Sequence, residues 1–134
     1  MNFEWKDEYG IGVSIIDDQH RYFVGLINEL YAAIQNGEAD DKLCEIFGKV
    51  TKYAVHHFQT EEKYFDEFNY EGAVEHKAKH NEIKDRLSGL QKRANEDKLK
   101  LSFDLIDFLE DWLVDHLKEM DQKYVSCFKD HGLE

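Results

Sequence analysis

The sequence predicts an all-α fold, an up-down-up-down antiparallel four-helix bundle with an extended N-terminal arm. Three observations predict it. The 134 residues include no proline and only eight glycines, whereas turn-rich β folds spend both on their connections. Apolar positions recur at alternating steps of four and three in four separate stretches, the pattern of helices with one face in a core. Short polar breaks separate those stretches, so consecutive helices pack as antiparallel neighbours.

Residues 1–13 carry Gly10 and Gly12 and read as the arm, pinned to the bundle by Trp5 and Tyr9. The first helix has its stripe at Ile16, His20, Phe23, Ile27, Leu30 and Ile34, and Gln35-Asn36-Gly37 ends it. Gly37 suits the left-handed residue that closes many helices. Asp40 or Asp41 starts the second helix, with its stripe at Leu43, Phe47, Val50, Ala54, His57, Glu61 and Tyr64. Asn69-Tyr70-Glu71-Gly72 breaks the pattern. The third helix follows with Ala73, His76, His80, Ile83, Leu87 and Leu90, then a polar connection from Gln91 to Lys98. The fourth shows Leu105, Leu109, Trp112 and His116. No repeat, low-complexity tract or linker interrupts residues 1–134, which read as a single domain.

The charge balance of 17 basic against 29 acidic residues gives −12. A surface that negative repels phosphate backbones and anionic lipid, so nucleic acid and membrane partners are not expected. No basic-then-apolar signal opens the chain and no apolar run reaches the ~18 residues of a membrane span, so the expected compartment is the cytoplasm. Cys44 and Cys127 make a poor disulfide framework and read as idle thiols in a reducing environment.

The stripes also carry residues that a core does not want. Seven residues stand out, His20, His57, Glu61, His76, His80, His116 and Asp121; each His stands where a core leucine belongs, and burying such groups without partners costs several kcal/mol. A bound metal removes that cost. A single pair at i and i+4, such as His57/Glu61 or His76/His80, is a weak signal, because surface ion pairs use the same spacing. Their co-occurrence on the inner stripes of one bundle is what points to metal. Seven ligands overfill one ordinary site, so the reading is a two-metal centre. His56 lies off the stripe and His131 lies in the tail, so both read as outside it.

Imidazole serves zinc, copper, iron and nickel alike, so ligand type alone does not name the metal. Two features favour a redox pair of irons. Glu61 and Asp121 each offer two oxygens that can bridge neighbouring cations. Five histidines over two metals leave one metal poorer in ligands, with an open position for a diatomic molecule. One spacing does not fit, because Asp121 lies five residues beyond His116, about 140° around a regular helix. Either the helix widens there or it ends and Asp121 belongs to the next turn.

The pattern His…His-x3-Glu…His-x3-His…His-x4-Asp resembles that of the hemerythrins, non-haem di-iron oxygen-binding proteins. The strings Asp17-Asp18-Gln19-His20, His57-Phe58-Gln59-Thr60-Glu61-Glu62 and Trp112-Leu113-Val114-Asp115-His116-Leu117-Lys118-Glu119-Met120-Asp121 resemble the family's motifs on its first, second and fourth helices. The Trp5 arm is similar to its N-terminal segment. Glu71 departs from the family, where proline often precedes the third helix. The resemblance implies that His76, His80 and His116 hold one iron and His20 and His57 the other. Glu61, Asp121 and a solvent-derived oxo or hydroxo group would bridge them. It further implies dioxygen binding at the two-histidine iron, with small anions such as azide competing in the oxidised state.

Phe23, Phe58, Trp112, Leu113 and Leu117 flank the ligands and read as an apolar pocket wall that keeps water from bound oxygen. Helix-bundle di-iron oxygenases use more carboxylates and Glu-x-x-His repeats. The imidazole-rich set therefore favours binding over oxidation, so the chain is read as an oxygen binder for storage, delivery or buffering and not as an enzyme. Two alternatives stay open: an oxygen or redox sensor working through a protein partner of unknown identity, and a di-iron enzyme consuming peroxide or nitric oxide.

Overall fold

The computed structural model describes residues 3–93, 95–116 and 120–134. It is an up-down-up-down bundle of four long helices, α1 (Ser14–Gln35), α2 (Ala39–Phe68), α3 (Ala73–Gln91) and α4 (Lys98–Asp115). A 3-10 turn (Asp121–Tyr124) and a short helix, α5 (Val125–Asp130), follow α4. Among the described residues, no helix is long and apolar enough to cross a membrane.

The N-terminal arm is extended apart from a 3-10 turn at Asp7–Tyr9. Phe3 is tied to α1 twice: its N–H donates to Asn28 Oδ1 at 2.8 Å, and its carbonyl accepts from Asn28 Nδ2 at 3.0 Å. Trp5 meets Tyr9 edge-on at 5.7 Å, and the Arg21 guanidinium sits over the Trp5 ring at 4.9 Å. Both predicted anchors therefore hold. The buried Asp17 carboxylate accepts from the N–H groups of Ile11 and Gly12 at 2.8 and 3.2 Å, which turns the arm into α1.

Helix ends follow local chemistry. Gly37 is left-handed (φ 70°) just past α1, as expected. Asn69 (φ 50°) closes α2, a role that asparagine tolerates better than branched residues. Asp97 caps α4 by accepting from the N–H groups of Leu99 and Lys100. The start of α2 falls at Ala39, one residue before the expected Asp40.

The core is layered along the bundle axis. A large apolar cluster includes Phe23, Ile27, Leu30, Val50, Phe58, Leu105, Leu109, Trp112 and Leu113. A smaller one holds Ile11, Val13, Ile16, Phe65, Tyr124 and Phe128. The sequence reading did not anticipate α5, which closes this second cluster. Between Ile16 and Phe23 on α1 lies His20, and between Phe58 and Phe65 on α2 lies Glu61. The polar residues thus form one slice across the bundle with apolar packing on both sides. Helix α3 is the exception to apolar packing, because half of its buried residues are His76 and His80, beside Ile83 and Leu87.

Candidate metal centre

Each helix delivers its ligands by simple geometry. His57 and Glu61 stand one turn apart on α2, and His76 and His80 one turn apart on α3, so each pair shares a face. His20 comes from the buried stripe of α1. His116 lies at the end of α4, where the helix takes the wider π form at His116 and Met120. A π turn returns to the same face after five residues, which answers the spacing that a regular helix could not satisfy. Asp121 then opens the 3-10 turn. Both anticipated departures from α geometry occur there.

The structure brings all seven predicted residues together, each 4% exposed or less. The imidazole Nε2 atoms converge on the two carboxylates. Asp121 divides its oxygens: Oδ2 lies 3.0 Å from His20, while Oδ1 lies 2.9 Å from His116 and 3.3 Å from His76. Glu61 reaches both groups of histidines, with Oε1 at 3.0 Å from His57 and 3.1 Å from His80. The His20 and His57 Nε2 atoms are 3.2 Å apart, and those of His76 and His116 are 3.3 Å apart.

These distances fit cations. Two nitrogens held at about 2.1 Å from one ion and at right angles to each other lie ~3 Å apart. Four-atom ligand sets form from Glu61, His76, His80 and His116, and from His57, Glu61, His116 and Asp121. His116 belongs to both sets, and His20 adjoins the second through Asp121 and His57. The chemistry of the buried atoms agrees: Glu61 Oε2 has no hydrogen-bond partner, and both Asp121 oxygens face only histidine nitrogens. An unpaired buried oxygen such as Glu61 Oε2 costs about 1–3 kcal/mol, a cost that a bound cation would cancel.

The side chains alone already carry strong opposing fields. Burial pushes the Glu61 carboxyl up, but His57 and hydrogen bonds from His116, His57 and His80 hold it well below the usual range. Burial and Glu61 likewise push Asp121 up, and His116 and His20 override them to hold it low. Burial lowers His116, yet Asp121 and Glu61 raise it to about 10. Burial dominates at His20 and His80, and both are lowered. The slice is therefore a field of buried charge in balance, which suits a cation site.

Further residues, unassigned by the sequence reading, orient the ligands. His57 Nδ1 donates to the buried Gln19 Oε1 at 2.7 Å, and Gln19 Nε2 donates to Thr60 Oγ1 at 3.1 Å. Thr60 Oγ1 in turn donates to the His56 carbonyl at 3.0 Å. His80 Nδ1 meets Glu62 Oε2 at 3.3 Å. Each contact places a proton on Nδ1 and leaves Nε2 free to face a metal. Their only sequence signal was adjacency, Gln19 before His20 and Glu62 after Glu61.

Of the predicted wall, Phe23, Phe58, Trp112 and Leu113 are buried. Phe58 stacks on His80 at 4.0 Å and lies 5.8 Å from His57, so it touches both histidine groups. Phe23 approaches His57 at 5.9 Å and packs edge-on against Trp112 at 4.6 Å, and Trp112 lies 5.8 Å from His116. Leu117 lies outside the described residues. On the opposite side, Phe65 and Tyr124 flank His76 at 4.9 and 5.5 Å, a pair the sequence reading did not single out. His56 is exposed, and His131 stacks on Phe68 at 4.5 Å, so neither joins the slice. Cys44 is exposed and Cys127 is partly buried.

Fold and slice together define a class, four-helix bundles whose buried histidines and carboxylates can hold cations. Residues 11–128 match the family described as the hemerythrin HHE cation binding domain. The chain belongs to the hemerythrin family, whose members are di-iron oxygen-binding proteins. It is 32% identical over 129 residues to bacteriohemerythrin of Stenotrophomonas maltophilia, covering 95% of this chain and 82% of the relative. Identity to bacteriohemerythrin of Clostridium acetobutylicum is 29% over 128 residues, 92% of this chain and 99% of the relative. A crystal structure of wild-type hemerythrin superposes with a TM-score of 0.83 at 28% identity, covering 93% and 96% of the two chains.

Proposed function

We propose that this chain binds dioxygen reversibly at a di-iron centre, for storage, delivery or buffering of oxygen in the cytoplasm. In this reading residues 1–134 act as one domain. His20, His57, Glu61, His76, His80, His116 and Asp121 would hold the metals, with the Glu61 and Asp121 carboxylates shared between the two groups of histidines. The observation that carries the reading is the division of Asp121, one oxygen toward His20 and the other toward His116 and His76. When bound, the iron pair supplies electrons that dioxygen can accept and return.

The protein's own residues do the remaining work. Five imidazoles against two carboxylates make a donor set less anionic than that of carboxylate-rich di-iron oxygenases. Such a set supports mild, reversible redox chemistry. Gln19 and Glu62 fix the rings of His57 and His80 with Nε2 inward. Phe23, Phe58, Trp112 and Leu113 surround the histidines with apolar surface, which keeps out water and the protons that displace a reduced ligand.

The test is an oxygen equilibrium. Protein loaded anaerobically with ferrous iron is expected to develop a visible absorption band in air and to lose it under argon, over repeated cycles. Azide is expected to compete in the oxidised protein. A spectrum unchanged by air, or a single irreversible oxidation, contradicts reversible binding.

A further inference from the structure

The seven ligands are sealed very unevenly. Six are 0–1% exposed, whereas His116 is 4% exposed and lines a cleft of about 240 Å³. Lys79, Glu82, Ile83 and Arg86 of α3 form one wall, and Asp111, Trp112 and Asp115 of α4, with Met120, form the other. The cleft follows the seam between α3 and α4, so it runs from solvent to a ligand of the centre. Its inner end is where α4 leaves regular geometry, at His116 and Met120. α3 brings little apolar surface to this seam, burying only Ile83 and Leu87 beside its two histidines.

The charges at the mouth are not equivalent. Lys79 pairs with Glu82 at 3.6 Å, and the Arg86 guanidinium lies over the Phe108 ring at 4.9 Å. Asp111 and Asp115, one turn apart on α4, are exposed and have no ion-pair partner among the described residues. Lys79 and Arg86 against Glu82, Asp111 and Asp115 leave the mouth one net negative charge, and a negative rim raises the local concentration of cations and their rate of arrival.

We propose that the α3–α4 cleft is the port by which divalent metal ions reach the centre. Asp111 and Asp115 draw the cation to the mouth, and His116 receives it at the inner end. The proposal rests on the reading of the buried slice as a metal centre. It adds how that centre fills, which the buried ligands by themselves leave unexplained. The clefts at Arg93 and Asp104, at Leu43 and Lys98, at Tyr22 and His56, and at Phe68 and His131 are lined by no residue of the slice.

Metal uptake by apo-protein tests it, with cobalt(II) alone as the probe and the visible absorption of bound cobalt as the readout in a stopped-flow instrument. Three double variants are compared with the unmodified chain: Asp111→Asn with Asp115→Asn, Asp111→Lys with Asp115→Lys, and Asp40→Asn with Asp41→Asn. The last pair changes the net charge as much as the rim asparagine pair does, at the far end of the bundle from His116. The lysine variant is expected to load about tenfold more slowly at low ionic strength, with the asparagine variant between it and the unmodified chain. High salt should shrink the difference, and final stoichiometry should stay unchanged. Both rim variants are surface changes, and unaltered helical circular dichroism accompanies the expected result. Should the lysine variant fail to fold, the asparagine pair decides the matter alone. Equal loading rates in the rim variants, or an equal slowing by the Asp40/Asp41 pair, overturn the port. Failure of the unmodified chain to take up cobalt or iron overturns the metal reading itself, and the port with it.

Discussion

Gln19 shows how a residue that touches no metal can decide how well one is held. It is buried on α1, accepts from His57 Nδ1 and leans on Thr60. Removing it frees the His57 ring to rotate and to place its proton on Nε2, the atom that faces the carboxylates. Gln19→Ala is expected to weaken metal retention by about 10–100-fold, the usual cost of losing such a partner, while helix content is kept. A chelator competition that gives equal affinities for the variant and the unmodified protein would contradict that role. The titrating ligands make a second prediction. His116 is raised from 6.5 to about 10, so its contribution is full below pH 6.5 and is lost as pH rises through 10. His20 and His80 are lowered from 6.5, so they cost stability as pH falls below that value. Glu61 and Asp121 lie below their ordinary 4.5 and 3.8, and their contribution is lost in acid. Apo-protein should therefore be most stable near pH 6.5. Urea unfolding that shows stability still climbing from pH 6.5 to 10 would refute this balance.

At the scale of elements, α3 depends on the centre more than the other helices do. It buries only Ile83 and Leu87 beside its two histidines, so little apolar area holds it when metal is absent. Removing the metal should raise amide hydrogen exchange in α3 well above that in α1 and α2, whose buried faces are long and apolar. Uniform loosening of all four helices would contradict this. The elements also show what the sequence made legible. The stripes of α1, α2 and α4 were readable because apolar periodicity reports burial directly. The clustering of the buried histidines was readable because they stand on those stripes in register. The geometry between His116 and Asp121 was legible only as a misfit of spacing, since the widening of a helix has no residue signature of its own. Gln19 and Glu62 were hidden for a different reason, because polar residues beside a stripe resemble a solvated edge until the fold turns them inward. The short α5 was missed because Tyr124, Val125 and Phe128 offer less than two turns of pattern.

At the scale of the whole molecule, the bundle is two apolar clusters separated by a charged slice. That arrangement is costly as bare protein. Five imidazoles and two carboxylates lie almost wholly out of water, and Glu61 Oε2 lacks a hydrogen bond. Metal ions bound there would convert that cost into cohesion between all four helices, because the clustered residues come from each of them and from the turn after α4. Binding free energy then becomes folding free energy. The central claim is that this slice holds a pair of metals and not one. Elemental analysis of protein loaded anaerobically with ferrous iron and freed of excess tests it most directly. Two irons per chain is the result this account predicts, falling together with helix stability when Glu61 or Asp121 is replaced by alanine. A saturating stoichiometry of one metal per chain, or none, would contradict it.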